Sequence, residues 1–254
     1  MSDKIIRIEN LSKSFGEKKV LNSVSIDVIE GENLIVFGRS GTGKSVLLKS
    51  IVRLLTPDKG KIFFKGKNIF EMKEKELLKT RKQIGFLFQS GALYDSMSVR
   101  ENLSFPLRKL TNMKKDEIND KIVETLRLVS LEEAIDKMPA ELSGGMRKRI
   151  GLARTIITEP SVILYDEPTT GLDPITAKEI SQLILNLQRK LKTTSVVVTH
   201  DLICAEIIAD RVIFLKKGEI YMEGKLEEIK ESNDSFIKNF FSNKILIESG
   251  VNDA

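Results

Sequence analysis

Residues 33–55 read NLIVFGRSGTGKSVLLKSIVRLL, which is a short apolar run, a glycine-rich loop and a longer apolar run. The first run is typical of a buried strand and the last of a helix. Gly38, Gly41 and Gly43 permit the tight backbone that points successive N–H groups at phosphate oxygens. Lys44 supplies a mobile cation for phosphate, and the Ser45 hydroxyl can ligate Mg²⁺. The stretch therefore predicts a strand, a phosphate-binding loop and a helix.

Further strand-like runs alternate with helical patterns along the chain, which predicts an α/β fold with a largely parallel sheet. These runs are 84–89 (IGFLFQ), 161–168 (SVILYDEP), 194–200 (TSVVVTH) and 210–218 (DRVIFLKKG). Residues 5 to about 30 and 61–66 alternate more strongly, so we expect antiparallel strands there, flanking the sheet. Between Gln89 and about Glu159 the strand signal disappears, and we expect an inserted helical subdomain.

The composition is that of a globular protein. The chain has 254 residues, 41% of them hydrophobic, and carries a net charge of +5. This basic excess is compatible with an anionic substrate, an acidic membrane surface or nucleic acid, and it selects none of them. Cys204 is the single cysteine, which suits a reducing compartment. No signal peptide is recognisable and charges interrupt the most apolar stretch, so we expect a cytoplasmic chain without a membrane-spanning helix.

Polar residues follow the predicted strands at positions where α/β sheets place their ligands. Asp166 and Glu167 end one strand, so the first carboxylate can hold a metal ion while the second polarises an attacking water. The alternative is a charged turn before Pro168. His200, the single histidine, ends another strand and can reach a terminal phosphate. Gln89 ends a third and can contact Mg²⁺ or the water.

A second candidate phosphate site lies in residues 142–154, LSGGMRKRIGLAR. The Ser143-Gly144-Gly145 entrance lets an anion approach the unpaired N–H groups at the start of a helix. Because the loop at 38–45 already surrounds one phosphate chain, this second helix start would be redundant unless it faces a different nucleotide. The alternative is an ordinary capped helix with a flexible entrance.

Six motifs, in this order and spacing, resemble the ATP-binding cassette (ABC) ATPase family over essentially the whole chain. They are GRSGTGKS (38–45), Gln89, LSGGM (142–146), VILYDEP (162–168), GLD (171–173) and His200. The resemblance implies an α/β P-loop NTPase core with a mixed sheet, an antiparallel β subdomain and an inserted α-helical subdomain. We expect one domain over 1–254, with the nucleotide-binding core and β subdomain in 1–89 and 160–241, the helical subdomain in 90–159, and a partly disordered C-terminal tail in 242–254.

The resemblance also implies ATP and Mg²⁺ as ligands. Nucleotide contacts fall on Phe15, Gly38, Arg39, Ser40, Gly41, Thr42, Gly43, Lys44, Ser45 and Val46, while Ser143, Gly144 and Gly145 close on the nucleotide of a second copy. Metal contacts fall on Ser45, Gln89 and Asp166, and catalytic roles on Glu167, His200 and Gln89. Phe15 would stack on adenine, although it can instead be a strand-face core residue. Asp173 would lie between the two copies and couple their sites.

Two departures from the family pattern are visible. Met146 replaces the glutamine that is most common after the signature glycines, and Gly171-Leu172 stands where many members have Ser-Ala. Neither change removes a group that contacts phosphate. Because Glu167 is retained, we expect ATP turnover.

The resemblance implies two protein partners, a second copy of the chain and a separate integral-membrane permease. A coupling helix of the permease would enter a groove within residues 88–107, which contain Leu93, Tyr94, Met97, Val99 and Phe105. Alternatively, these residues only pack the helical subdomain. On this basis the chain would be peripheral on the inner face of the cell membrane.

The segments 88–107, 142–156 and 165–177 look like those of ATPases from Mla/Mce-type lipid transporters, which work with Mce-domain lipid-binding proteins. Met146 and the Pro-Ile-Thr after Asp173 are the most telling features. The alternative is an importer ATPase for small solutes such as amino acids. ABC proteins that act on DNA or ribosomes usually carry coiled coils or tandem cassettes, which are not visible here, so no nucleic-acid partner is expected.

Overall fold

Two β-sheets form the framework of the protein, in a computed structural model that describes residues 3–39 and 41–248, with side chains to residue 242. The strands are β1 (Lys4–Phe15), β2 (Lys18–Ile29), β3 (Asn33–Phe37), β4 (Lys59–Phe64), β5 (Lys67–Asn68), β6 (Ile84–Leu87), β7 (Val162–Asp166), β8 (Thr194–Thr199), β9 (Arg211–Lys216) and β10 (Glu219–Gly224). One sheet has the order β10-β9-β3-β8-β7-β6, and the other has the order β2-β1-β4-β5.

The larger sheet is parallel from β9 to β6, and β10 joins its edge in the antiparallel direction. Every residue of β3, β7 and β8 is buried, as expected for parallel strands covered on both faces. The smaller sheet is entirely antiparallel. The mixed sheet with an antiparallel β subdomain confirms the predicted fold class.

Helices cover both faces of the larger sheet. They are α1 (Lys44–Ile51), α2 (Glu74–Lys82), α3 (Val99–Leu110), α4 (Lys115–Leu128), α5 (Gly144–Ile156), α6 (Pro174–Leu191), α7 (Leu202–Ile208), α8 (Leu226–Lys230) and α9 (Ser235–Glu248), with 3₁₀ turns at Glu132–Ala134 and Pro139–Glu141. Several of these helices begin directly after a residue whose side chain accepts hydrogen bonds from the first backbone N–H groups. Ser98 and Glu101 form a capping box at α3, and the Asp173 and Asp201 carboxylates cap α6 and α7.

The larger sheet separates two hydrophobic cores, and the alternation of side chains along β3 shows how. Ile35 and Phe37 pack into a core with the helical region, α6, α7 and α9. Leu34 and Val36 face the other way, into a core shared with the smaller sheet and α1. Since successive strand residues point to opposite faces, one five-residue strand anchors both cores.

All four strand-like runs after β3 form strands, at β6, β7, β8 and β9. Between residues 90 and 159 the structure contains helices and 3₁₀ turns and no strand among the described residues, although the exact subdomain limits stay a prediction. The short helices α2 and α8 were not foreseen. Their charged sequences carry little apolar periodicity, so packing against the sheet domain determines them.

The last described helix, α9, extends into the segment expected to form the C-terminal tail. Residues 242–248 belong to α9, while 249–254 lie outside the described residues, so the partial disorder of the tail stays a prediction. Long-range packing fixes the first half of this helix. The ring centroid of Phe240 lies 5.5 Å from that of Phe37 and 5.0 Å from that of Phe214, so α9 is held by aromatic contacts with two central strands.

None of the helices in the described part of the chain combines the length and apolar character needed to span a bilayer.

The aromatic cluster yields a stability prediction. Phe214 is fully buried and its ring contacts Phe37, Phe240 and Phe241, so Phe214→Ala should lower the free energy of unfolding by about 3–5 kcal/mol. The control is Phe63→Ala, which removes a half-buried ring stacked under the Arg7 guanidinium and should cost about 1 kcal/mol. Urea unfolding measures both values, and equal losses would contradict the importance assigned to this cluster.

Candidate active site

The glycine loop that follows β3 has no room for side chains at two positions. A Cβ on Gly38 would lie 2.4 Å from Thr42 Oγ1 and 2.9 Å from the Leu215 carbonyl oxygen. Gly43 has φ near +102°, and a Cβ there would lie 2.7 Å from the Val20 carbonyl oxygen. These positions require glycine because the loop packs closely against β2 and β9, which fixes its backbone.

The loop leads directly into the start of α1, and inside the loop the Thr42 N–H donates to the Arg39 carbonyl oxygen at 3.3 Å. No side chain caps this helix, and the first N–H groups of a helix have no partner within it. The Thr42 hydroxyl instead closes the loop from inside by donating to the Arg39 carbonyl oxygen at 2.9 Å. The uncapped helix start is a site for an anion such as phosphate.

A cluster of three charged or titratable side chains lies beside the loop. The Lys44 ammonium donates to the Gly38 carbonyl oxygen at 2.7 Å and lies 3.2 Å from Glu167 Oε1. His200 Nδ1 lies 2.7 Å from Glu167 Oε2, and the His200 backbone N–H also points at that oxygen. Lys44 and Glu167 are buried, whereas the His200 side chain is 52% exposed. Each oxygen of the carboxylate is thus held by a different residue.

The electrostatic environment keeps Glu167 ionised. Burial raises the pKa of its carboxyl group, but the hydrogen bond from His200 and the positive charge of Lys44 outweigh burial, so the pKa lies below its ordinary value. Glu167 also has φ near +51°, a left-handed conformation that is uncommon for residues other than glycine. A strained backbone at such a position is frequent at functional sites.

Asp166 and Ser45 form the acidic half of the site. The Ser45 hydroxyl donates to Asp166 Oδ1 at 2.7 Å, which joins the start of α1 to the end of β7. No group of three or more His, Cys, Asp or Glu side chains within the described residues is arranged to hold a metal alone. One hydroxyl and one carboxylate fit Mg²⁺, because this ion usually takes one or two protein ligands and completes its shell with substrate phosphates and water.

A cavity of about 680 Å³ opens over these groups. Its lining brings together most of the predicted residues, namely Phe15, Gly38, Arg39, Gly41, Gly43, Lys44, Ser45, Val46, Gln89, Glu167 and His200. Thr42 and Asp166 are not part of the lining, although Asp166 contacts Ser45, which is, and Ser40 lies outside the described residues. Phe15 is 49% exposed at the rim, so it is not a core residue and its ring is open to a ligand.

Four cavity residues were missed from the sequence, namely Lys18 and Val20 of β2 and Asn239 and Phe240 of α9. Asn239 and Phe240 of α9 form part of the wall, although they lie about forty residues beyond the last recognised motif. No local pattern signals this role, because it follows from the docking of α9 on Phe37 and Phe214.

Lys148 was also missed. It is 6% exposed, and its ammonium donates to the Gln89 backbone carbonyl, which ties α5 to the loop after β6. Burial lowers the pKa of this amine, although the carboxylates of Glu167 and Asp166 act in the opposite direction. From the sequence, a lysine in an amphipathic helix is expected to be exposed. Only the tertiary structure shows that Lys148 is buried beside the site.

The Ser-Gly-Gly turn lies at a separate cavity of about 530 Å³, and none of its residues lines the first one. Ser143 and Gly144 are exposed, and Asp173 and Thr176 share the second cavity with them. Ser143 Oγ accepts from the Met146 N–H at 3.2 Å, so this residue does cap α5. The N–H groups of Gly144 and Gly145 lie in the first turn and remain available to an anion.

Asp173 has a structural role that the sequence analysis did not include. Its carboxylate caps α6 by accepting from the Ile175 and Thr176 N–H groups at 3.1 and 3.0 Å. The hydrogen bond from the Thr176 hydroxyl, at 2.6 Å, holds the pKa of Asp173 below its ordinary value. Asp173 is therefore fixed beside the exposed glycine turn.

Comparison with known proteins identifies the family of this architecture. A family model described as ABC transporter matches residues 21–170. A probable ribonucleotide transport ATP-binding protein, Mkl of Mycobacterium leprae, is 40% identical over 98% of this chain and 72% of its own length. The intermembrane phospholipid transport ATP-binding protein MlaF of Haemophilus influenzae is 37% identical over 94% of this chain and 91% of its own.

Similarity extends to proteins with other named substrates and to solved structures. The glycine betaine/carnitine/choline transport ATP-binding protein OpuCA of Bacillus subtilis is 38% identical over 96% of this chain and 64% of its own length. A dimeric ATP-binding cassette, solved in a post-hydrolysis state with ADP and Pi, superimposes with a TM-score of 0.79 at 34% identity. The match covers 87% of this chain and 98% of that one.

The contacts of Glu167 generate a pH prediction. His200→Ala removes a hydrogen bond to the carboxylate, so the pKa of Glu167 should rise. In the parent protein the depressed pKa contributes stability that is fully present above the unfolded-state value and is lost as pH falls through the folded-state value, and the variant should lose part of this contribution. A carboxyl ¹³C NMR titration of the nucleotide-free protein measures the shift.

Thr170→Val is the matched control, because the Thr170 hydroxyl reaches the same oxygen only at 3.3 Å. This variant should leave the titration of Glu167 nearly unchanged. An unaltered Glu167 pKa in the His200→Ala protein would show that the contact is absent in solution.

Proposed function

This chain belongs to the ABC transporter family as an ATP-binding, ATP-hydrolysing component, and we propose that each of its ATP sites is completed by a second copy of the same chain. The observation that carries the proposal is the separation of the two cavities. The glycine turn at Ser143–Gly145 is exposed and does not line the cavity formed by the loop of its own chain. A helix start built for an anion is therefore left facing outward, where another subunit's nucleotide can meet it.

The loop at 38–46 and the start of α1 would hold the phosphate chain, and Phe15 would stack on the base. Lys44 would exchange its ion pair with Glu167 for contacts with phosphate oxygens, since one ammonium cannot fully serve both. Glu167, released on that side and still held by His200, would orient and deprotonate the attacking water. The 2.7 Å His200 contact and the burial of Glu167 support this assignment.

Ser45, Asp166 and Gln89 would hold Mg²⁺, which supplies positive charge to the transferring phosphoryl group. The Ser45–Asp166 contact supports the first two assignments. Gln89 lines the cavity with an exposed side chain, and Lys148 fixes its backbone carbonyl. Gln89 can therefore turn its amide toward the metal while its main chain stays attached to α5.

The shared site gives a prediction based on mixing two variants. Lys44→Ala should lose nucleotide binding. Ser143→Asp retains an N-cap residue but places a negative charge where the partner's phosphates would lie, so hydrolysis should fall at least about tenfold while ATP binding persists. Each variant alone should be nearly inactive in a phosphate-release assay.

Mixed in equal amounts, the two variants should recover part of the activity. In a mixed dimer, the intact loop of the Ser143→Asp chain meets the intact turn of the Lys44→Ala chain, which rebuilds one complete site. If the mixture stays as inactive as its components, although mixed dimers form, the site is not shared between subunits.

We further propose that the ATPase energises a permease for phospholipids or related lipids. The name of MlaF assigns that protein to intermembrane phospholipid transport. The support is the 37% sequence identity to MlaF, which extends across nearly the full length of both chains. The similarity to OpuCA keeps a small-solute importer as the second candidate. An Mce-domain lipid-binding partner on the outer side, and binding to the inner face of the membrane, belong to the first proposal.

The surface for the permease would include the loop after β6. Tyr94 is 46% exposed, and its ring centroid lies 5.3 Å from that of Phe105. Val99 is fully buried, so for this residue the alternative holds and it packs the helical region. The exposed tyrosine, with Arg154 lying over its ring, is the part of the predicted groove that a coupling helix can reach.

The substrate class is tested by purifying the tagged chain from membranes together with its associated proteins, followed by mass spectrometry of the extracted lipids. Phospholipid in stoichiometric amounts, with a permease and an Mce-domain protein, is the expected result. Recovery of a solute-binding protein, with only the bulk membrane lipids, would favour the importer.

A further inference from the structure

From the distribution of unpaired cations, we propose that the protein binds an anionic lipid surface directly, through a basic face formed by the ends of α2 and α3. This basic face consists of Lys75, Leu78, Lys79, Lys82, Arg108 and Lys109. The proposal concerns a contact with lipid headgroups that is additional to any contact with a permease.

The first observation is the shape of α2. Lys75, Leu78, Lys79 and Lys82 recur at helical spacing along its exposed side, while Leu77 and Thr80 on the other side are buried. Leu78 is 47% exposed in the middle of the lysines. Its helical neighbours at i−3 and i+4 are Lys75 and Lys82, with one carboxylate, Glu74, at i−4. An exposed apolar side chain beside lysines is found in helices that lie at a lipid–water interface.

The second observation extends the face to α3. The Lys82 ammonium donates to the Leu110 carbonyl at the end of α3, which places that end directly beside α2. Arg108 and Lys109 occupy the last turn of α3 and are exposed. The five cations of the two helices therefore lie on one continuous surface.

The third observation is that these charges are not neutralised by the protein. Residues 71–115, which span the whole basic face, contain ten Lys or Arg and five Asp or Glu, so this segment accounts for the net charge of +5 and acidic and basic residues balance elsewhere. Some other surface cations pair with carboxylates, as Lys67 does with Glu76 and Arg149 with Glu179, while others, such as Lys59 and Arg189, also form no ion pair among the described residues. Among the residues that the structure describes, no cation of the basic face forms an ion pair.

Lipid is the occupant that this chemistry favours. The basic face contains a leucine and no aromatic side chain, so it lacks the stacking groups by which proteins hold unpaired nucleic-acid bases. It also continues the proposed permease surface, because Phe105 precedes Arg108 by one turn of α3. This link to the permease surface is the only part of the inference that rests on the proposed function. Contact with a permease at that surface would orient the basic face toward the membrane.

The test is vesicle flotation with the purified full-length chain. The protein should float with phosphatidylcholine vesicles that contain about one third phosphatidylglycerol, and not with phosphatidylcholine alone. Binding should weaken as salt is raised, because exposed charges are screened. Each cation removed should weaken binding about fivefold, the factor that corresponds to about 1 kcal/mol per basic residue at such a surface.

The test variant is Lys79→Gln/Lys82→Gln/Arg108→Gln/Lys109→Gln. Its matched control is Lys59→Gln/Lys61→Gln/Arg189→Gln/Lys190→Gln, which removes three lysines and one arginine from exposed positions elsewhere. Only the test variant should lose flotation, while both retain ATP hydrolysis. Leu78→Ala, a single exposed change that leaves every charge in place, should weaken binding at low and high salt alike.

Equal loss in both quadruple variants, or equal flotation with neutral and anionic vesicles, would overturn the proposal. So would tight binding of single-stranded RNA that the test variant abolishes while vesicle binding is absent. A protein that hydrolyses ATP normally but floats with neither vesicle would refute the lipid contact and leave the proposed function intact.

Discussion

The parallel pairing of β3, β8, β7 and β6 is the constraint on which the rest of the protein depends. Parallel strands end at the same edge of a sheet, and each of these four is followed there by a residue or loop of the candidate site. The glycine loop follows β3, and His200 follows β8. Asp166 is the last residue of β7 and Glu167 comes directly after it, while Gln89 follows β6. Residues separated by more than 150 positions in the sequence thus share one cavity.

The nucleotide-free site is held together by its own charges. Lys44 and Glu167 are both buried, and each would be costly in that position without the other. The ion pair keeps the loop and the end of β7 in place, and His200 fixes the second carboxylate oxygen. In the proposed mechanism phosphate would compete for the same ammonium, so nucleotide binding and the release of Glu167 would be linked through Lys44.

The same chain presents a second cavity on another surface. It is formed by the exposed glycine turn, the Asp173 carboxylate that caps α6, and the start of α6. If this turn closes on a partner's nucleotide as proposed, each subunit carries two separate half-sites, which suits a symmetric, self-complementary pair. Lys148 ties the helix of the glycine turn to the backbone carbonyl of Gln89 beside the first cavity.

The sequence by itself determined the fold class, the glycine loop and the order of the motifs. These follow from local properties, because Gly43 must adopt a positive φ and the apolar runs that form β3, β7 and β8 must be buried on both faces. Only the tertiary structure decided that α9 forms a wall of the cavity and that Lys148 is buried. Both depend on contacts between distant segments, such as Phe240 with Phe37, and no local pattern encodes such partners.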